Sequence, residues 1–376
     1  MSGLADPVGL ARALIGRASV TPEDDGAQAL LGGWLERLGF AVTHLRFGRT
    51  PNLFASIGAG HPHFCFAGHT DVVPPGDAAW SVPPFAAELR EGMLIGRGAA
   101  DMKGGIAAFV AAVARHLDGG GPARGRISLL ITGDEEGAAT DGTVRVLPWM
   151  AEHDAIPDFC LVGEPTNPTS LGEIVKIGRR GSLNARIAVH GIQGHAAYPQ
   201  RADNPVHRLL AALSDMLAAP LDAGTEWFEP SNLQVTSIDV GNPASNVIPA
   251  SARARLNVRF NDRHTGAALS DWLRAILARH AQHFDLEVEI SGEAFLTAPG
   301  EAVRMLVAAI EEQTGRRPAL DTGGGTSDAR FIARHCPVAE FGLVGASMHQ
   351  ADEQVAVADL LALTGIYEAI LAAFLR

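Results

Sequence analysis

The sequence predicts an α/β protein in two parts: a catalytic domain with a central mixed sheet flanked by helices, and a smaller inserted α+β domain of the split βαβ, ferredoxin-like kind. Three observations predict it. The chain has 376 residues, more than one ordinary core holds. Towards both ends, short apolar runs alternate with stretches of helical period, as in a sheet covered by helices on both faces. In the middle the order becomes β-α-β-β-α-β, a plan complete in itself. The expected boundaries are residues 1–180 and 293–376 for the catalytic domain and 181–292 for the insertion.

In chain order, buried strands are expected at 64–67, 127–132 and 159–162, because these runs are apolar and too short for helices. Helices are expected between them at 106–117 and 144–153. The insertion reads as strand 184–190, helix 204–217, strands 233–240 and 252–260, helix 267–283 and strand 286–290. The catalytic domain then resumes with a helix at 301–314 and a strand at 338–341. It closes with a helix at 357–376, whose apolar spacing suits packing on the sheet. No internal repeat, low-complexity tract or heptad pattern interrupts this plan.

A formal charge of −12 and a pI near 5.6 argue against nucleic acid or anionic membrane as partners, so an anionic substrate needs a local arginine cluster. The opening MSGLADPVGLARALIGR breaks its apolar run with arginines and has no signal-type core. The longest apolar stretch, 105–114, falls short of the roughly 18 residues a membrane span needs, and a cytoplasmic protein is expected. Cys65, Cys160 and Cys336 each sit in an apolar segment and read as buried, unbridged thiols.

The residues that carry chemistry are His69, Asp101, Glu135, Glu136, Glu164 and His349, in the contexts HTD, GRGAADMKGG, TGDEEG, VGEP and MHQADE. Each ends a strand-like run or lies in the turn after one, where open α/β sheets place their sites. Histidines and carboxylates without cysteine suit zinc or manganese, and their number suggests a two-metal hydrolase. If His69-Thr70-Asp71 is extended, the first and third side chains point the same way, and Asp71 can accept the second ring N–H of His69. Glu135 and Glu136 are adjacent in a turn and should point differently, leaving one for metal and one for a proton. His61 and His63 read as a surface turn without a role. In GGGTSD, the N–H groups and Thr326 hydroxyl either bind a carboxylate at a helix N-terminus or form a simple cap turn.

Taken in order, FAGHTDVVPPGD, GRGAADMKGG, TGDEEG, VGEPT, GRRGSLNARIAVHGIQGHAAYP, SNVIPA, GGGTSDARF and MHQADE resemble the M20 family of zinc aminoacylases and peptidases over nearly the whole chain. The resemblance implies two Zn2+ per subunit, with Co2+ able to substitute. It implies that Asp101 bridges the ions, that His69 and Glu164 complete one, and that Glu136 and His349 complete the other. It gives the base to Glu135 and imidazole orientation to Asp71. It assigns substrate contacts to Arg179, Tyr198, Asn246 and Arg259, and makes His195 an oxyanion donor reaching from the partner of a homodimer paired through the insertion. The implied substrate is a small N-acylated amino acid, first N-succinyl-LL-2,6-diaminopimelate and second N-acetylornithine. Ala329 departs from the glycine the family often has after TSD. A binding or scaffold protein that had lost catalysis should lack the base or a ligand, and here all are present.

Overall fold

A computed structural model describes residues 2–120 and 125–375, which form two compact units. The first comprises Met1–Ile177, Thr297–Asp321 and Ser327–Arg376; the second comprises Gly178–Leu296 and Thr322–Thr326.

The first unit is built on an eight-stranded sheet. Across it the strands run Ala41–Phe47, Thr50–Gly58, Arg126–Thr132, His63–His69, Phe159–Val162, Val338–Glu340, Ile174–Lys176 and Ala319–Asp321. The four from Arg126–Thr132 to Val338–Glu340 are mutually parallel, while Thr50–Gly58 runs antiparallel to both its neighbours and Ile174–Lys176 runs antiparallel to Val338–Glu340 but parallel to Ala319–Asp321, so the sheet is mixed. Phe159–Val162 is buried at every position, as continuous apolar runs require. Helix Gly104–Gly120 packs against Val357–Phe374 and Pro7–Ile15, and Ala27–Arg37 and Thr143–Glu152 pack against strand Thr50–Gly58.

Phe66 and Phe109 stack with ring centroids 4.2 Å apart, and Tyr367 meets Phe66 edge-on at 5.6 Å. Each fully buried ring of this kind contributes about 1.5–3 kcal/mol. The Tyr367 hydroxyl donates to the Phe341 carbonyl at 2.7 Å, which satisfies its polar end in the core. Helix Val357–Phe374 is long and apolar enough to cross a membrane, which the reading of 105–114 as the longest apolar stretch had passed over. It is a core helix, with Leu360, Leu363, Thr364, Ile366, Tyr367, Ile370 and Leu371 buried. Arg376, the expected end of this helix, lies outside the described residues.

The second unit carries a four-stranded antiparallel sheet in the order Asn232–Asp239, Ser251–Phe260, Gly181–His190, Phe284–Gly292. With helices Pro205–Met216 and Gly266–His280 this is the ferredoxin-like arrangement. Leu183, Ala185, Ile187 and Val189 alternate into a core shared with the helix residues Leu209, Leu213, Leu273 and Ile276. Asn204 and Thr265 cap the two helices by accepting from Val206 and Ala268 N–H groups.

His63 departs from the surface turn expected of it. It opens strand His63–His69, is buried, and has its Nε2 2.7 Å from Ser128 Oγ. Only His61 is exposed, paired with Asp158 at 2.7 Å. Burial, followed by the charge of Arg126, lowers the His63 pKa from 6.5 to about 4. The folded chain therefore binds this proton less readily than the unfolded one, and the contribution of His63 to stability should be complete above about pH 6.5 and lost as pH falls to about 4. Urea unfolding of native and His63→Asn chains between those pH values should show a shallower pH slope in the variant; equal slopes would remove His63 from the balance.

Candidate metal centre

Because Arg126–Thr132, His63–His69 and Phe159–Val162 are parallel, their C-terminal ends lie on one edge of the sheet. His69 is the last residue of its strand, opposite Thr132. Glu135 and Glu136 follow Thr132 by one turn, and Glu164 lies two residues past Val162. Gly163 between them must be glycine, since a Cβ there would collide with the Phe66 ring and with Met102. Asp101 comes off a turn through Gly98, whose φ of +86° is left-handed. His349 itself holds a φ of +63°.

These six residues converge. His69 Nε2 is 3.2 Å from Asp101 Oδ1, 3.7 Å from Glu164 Oε1 and 4.0 Å from Glu135 Oε2. His349 Nε2 is 3.2 Å from Asp101 Oδ2 and 3.0 Å from Glu136 Oε1. The two oxygens of Asp101 thus face different histidines. Ligand atoms of His69, Asp101 and Glu164 lie within 4.8 Å of one another, and so do those of Asp101, Glu136 and His349. A third such group, His69 with Glu135 and Glu136, shows that both glutamates reach the same space.

Asp71 is placed differently from the sequence reading. The strand stops at His69, so the alternation does not extend to residue 71. The backbone carbonyl of Asp71 lies 2.9 Å from His69 Nδ1, while the carboxylate stands at 3.7 Å. That carboxylate instead accepts from the N–H groups of Glu135 and Glu136, at 3.3 and 3.1 Å, and so holds the turn that carries them.

Charge in this centre is unbalanced. Burial, with Asp101 and Glu135 nearby, pushes the Glu164 pKa far above the carboxylate range. Burial raises Glu135 to about 8 against the pull of His69, with Asp328, Glu136 and Asp101 adding to the rise. Asp101 is driven the other way: burial opposes its charge, but hydrogen bonds with His349 and His69 outweigh that. Hydrogen bonds with Asp101 and Glu136 raise His349 to about 10. Four carboxylates against two imidazoles, all oxygen and nitrogen donors, fit divalent cations, whose charge would let the acids ionise together.

The remaining predicted residues belong to the second unit and fall into two groups. Arg179 donates to the Gly325 carbonyl at 3.1 Å, next to Thr326. Arg259 stands opposite Ser182 near the start of strand Gly181–His190. Burial, then the charge of Arg180, lowers its pKa. His195 and Tyr198 have rings 5.6 Å apart, and Asn246 accepts from the Ala196 N–H at 2.9 Å. This second group lies beyond the far end of the same strand, where His190 pairs with Ser251. The helix after GGGTSD is a single turn, Ala329–Ile332, and Asp328 at its N-cap makes no capping bond.

Several buried charged residues went unassigned in the sequence although their motifs were noticed, among them Asp328, Arg97 and Glu353. Asp328 is buried and raised to about 6 by that burial. Arg97 and Glu353 pair at 2.7 Å inside the GRGAAD and MHQADE segments. Arg97, set among glycines and alanines in a segment that also carries a ligand, was the available signal.

The model of peptidase family M20/M25/M40 matches residues 65–373. A succinyl-diaminopimelate desuccinylase of Gluconacetobacter diazotrophicus is 68% identical over 96% of this chain and 95% of its own. One of Gluconobacter oxydans is 62% identical, with 97% of each chain covered. The fold matches that of the aminopeptidase PepT of Bacillus cereus at a TM-score of 0.79 and 20% identity, over 99% of both chains. It also matches a Bacillus subtilis protein described as a dinuclear metal binding peptidase, at 0.71 and 14%, over 100% of this chain and 99% of that one. With its strand-end residues converged and its length matched from residue 65 to 373, the chain belongs to peptidase family M20/M25/M40.

Proposed function

We propose that the chain hydrolyses N-succinyl-LL-2,6-diaminopimelate to succinate and LL-2,6-diaminopimelate, a step of lysine and cell-wall precursor synthesis in the cytoplasm. The observation that carries the chemistry is Asp101, whose two oxygens lie 3.2 Å from two different histidines. The names of relatives up to 68% identical support the substrate.

His69 and Glu164 would hold one Zn2+, Glu136 and His349 the other, and Asp101 would join them; Co2+ fits the same donors. Such a pair supplies Lewis-acid polarisation of the amide carbonyl and a more acidic water. Glu135 accepts a proton from the attacking water at its carboxylate and returns it to the departing amine. Asp71 fixes the turn on which Glu135 stands. Arg179 and Arg259 offer guanidinium forks to substrate carboxylates, with Arg180 beside Arg259 adding to the positive field. Tyr198, Asn246 and Thr326 contribute polar contacts to the substrate.

The inserted unit supports a homodimer. Arg259 and Ser251 are eight residues apart on one strand, about 26 Å at 3.3 Å per residue. The His195 group lies beyond the Ser251 end. That separation favours the reading in which His195 comes to the oxyanion from a second chain.

Side-by-side assays with added zinc should show hydrolysis of succinyl-diaminopimelate well above that of N-acetylornithine; the reverse order would overturn the substrate. Metal analysis after zinc reconstitution should approach two ions per chain. Saturation at one ion with full activity would remove Asp101 from its bridging role.

A further inference from the structure

Arg97 and Glu353 are 1% and 0% exposed, and neither belongs to the donor set. Sealing a guanidinium and a carboxylate from water carries a desolvation penalty that such a pair seldom repays as stability alone. What this pair holds is specific. Glu353 Oε1 accepts from the N–H groups of Ala100 and Asp101 at 2.9 and 3.1 Å. Its Oε2 accepts from the Gly98 N–H at 3.2 Å and from Arg97 Nη1 at 2.7 Å. Arg97 Nη1 also donates to the Gln350 carbonyl at 3.2 Å, and Nη2 to those of His349, Pro74 and Pro75, each at 3.4 Å. The guanidinium lies 5.1 Å from the centre of the Trp80 ring.

Through these bonds one ion pair grips the backbone of both Asp101 and His349. Neither residue has a regular conformation to hold it in place: Asp101 breaks helical geometry at φ −122°, ψ 98°, and His349 stands at φ +63°. We propose that Arg97 and Glu353 are positioning residues that fix the distance between Asp101 and His349, and so build the Asp101–Glu136–His349 cation position before an ion arrives. The inference rests on the two-cation reading above. A guanidinium fork is needed because the successive carbonyls of His349 and Gln350 must be held at once, which one ammonium cannot do with the same geometry.

The test is zinc titration of metal-stripped native and Arg97→Lys chains, with amide hydrogen exchange on the native chain. In Arg97→Lys, which keeps a positive charge against Glu353, one of two zinc ions should bind ten- to a hundredfold more weakly, the scale for residues that orient metal ligands, while the other keeps its native affinity. In the native chain the Ala100 and Asp101 amides should be equally protected without and with zinc. Native affinity for both ions in Arg97→Lys overturns the inference, even if the variant melts earlier. So does an exchange pattern in which those amides are protected only after zinc binds, and this reading does not depend on the variant folding. A native chain that binds fewer than two ions would instead sink the two-cation reading and this inference with it.

Discussion

Glu135→Gln should leave two cations bound and lower turnover about a hundredfold or more, the scale of general acid–base catalysis. The substitution keeps the side chain's size and removes only its ability to take a proton. Glu136 lies 3.0 Å from His349 Nε2, whereas Glu135 comes no nearer than 4.0 Å to His69 Nε2, so the two neighbours are unequal as ligands. Glu136→Gln should therefore weaken one cation position. Both backbone N–H groups stay held by Asp71, so neither change should unmake the turn. Metal content and kcat measured on both variants decide the assignment. If Glu135→Gln loses metal while Glu136→Gln keeps both ions and loses only turnover, the roles are exchanged.

Two nearly inactive chains should together regain activity. His195→Ala is expected to fold, load metal and lose a hundredfold or more in rate, the usual cost of removing a donor aimed at a developing oxyanion. Mixed with Glu135→Gln under conditions of subunit exchange, it should form dimers in which one site joins an intact Glu135 to the partner's intact histidine. In a random mixture about half the dimers are mixed, each with one working site, so recovery should approach a quarter of native activity by this simple pairing count. Confirmed exchange without recovered activity would place His195 within its own chain's site or outside catalysis.

Legibility of the fold followed burial. Phe159–Val162 and Arg126–Thr132 lie deep in the sheet and read as apolar runs nearly to their ends. Ala41–Phe47 pairs on one side only and shows the mixed surface of its AVTHLRF sequence, which gives no clean run. Glu88–Arg90, Met93–Ile95 and Gln354–Ala356 form a small sheet from strands too short to display a period. In the site, an acid or histidine just past each apolar run was visible because the strand ends are. Which oxygen meets which nitrogen was not, since it depends on turns such as that at Gly98 and on the unusual backbone of His349. Asp71 failed for the same reason: alternation ends with the strand. Arg97 and Glu353 stayed hidden because sequence gives no measure of burial for a charged residue, and most of their partners, each other included, lie about 250 positions away.

The place of Val338–Glu340 in the sheet bears on how the chain is made. It lies between Phe159–Val162 and Ile174–Lys176, yet it emerges from the ribosome after the entire inserted unit. Until then the sheet has a vacant slot, bordered by the bare edge of the FCLV strand. Residues 178–296 contain their own sheet and core and can settle while they wait. The first unit cannot close. A nascent chain that stalls before residue 338 therefore carries a finished insertion beside an open, apolar strand edge, the feature most prone to pair with another chain. Chaperone demand and loss to aggregates should concentrate in that late interval of synthesis, when most of the polypeptide already exists.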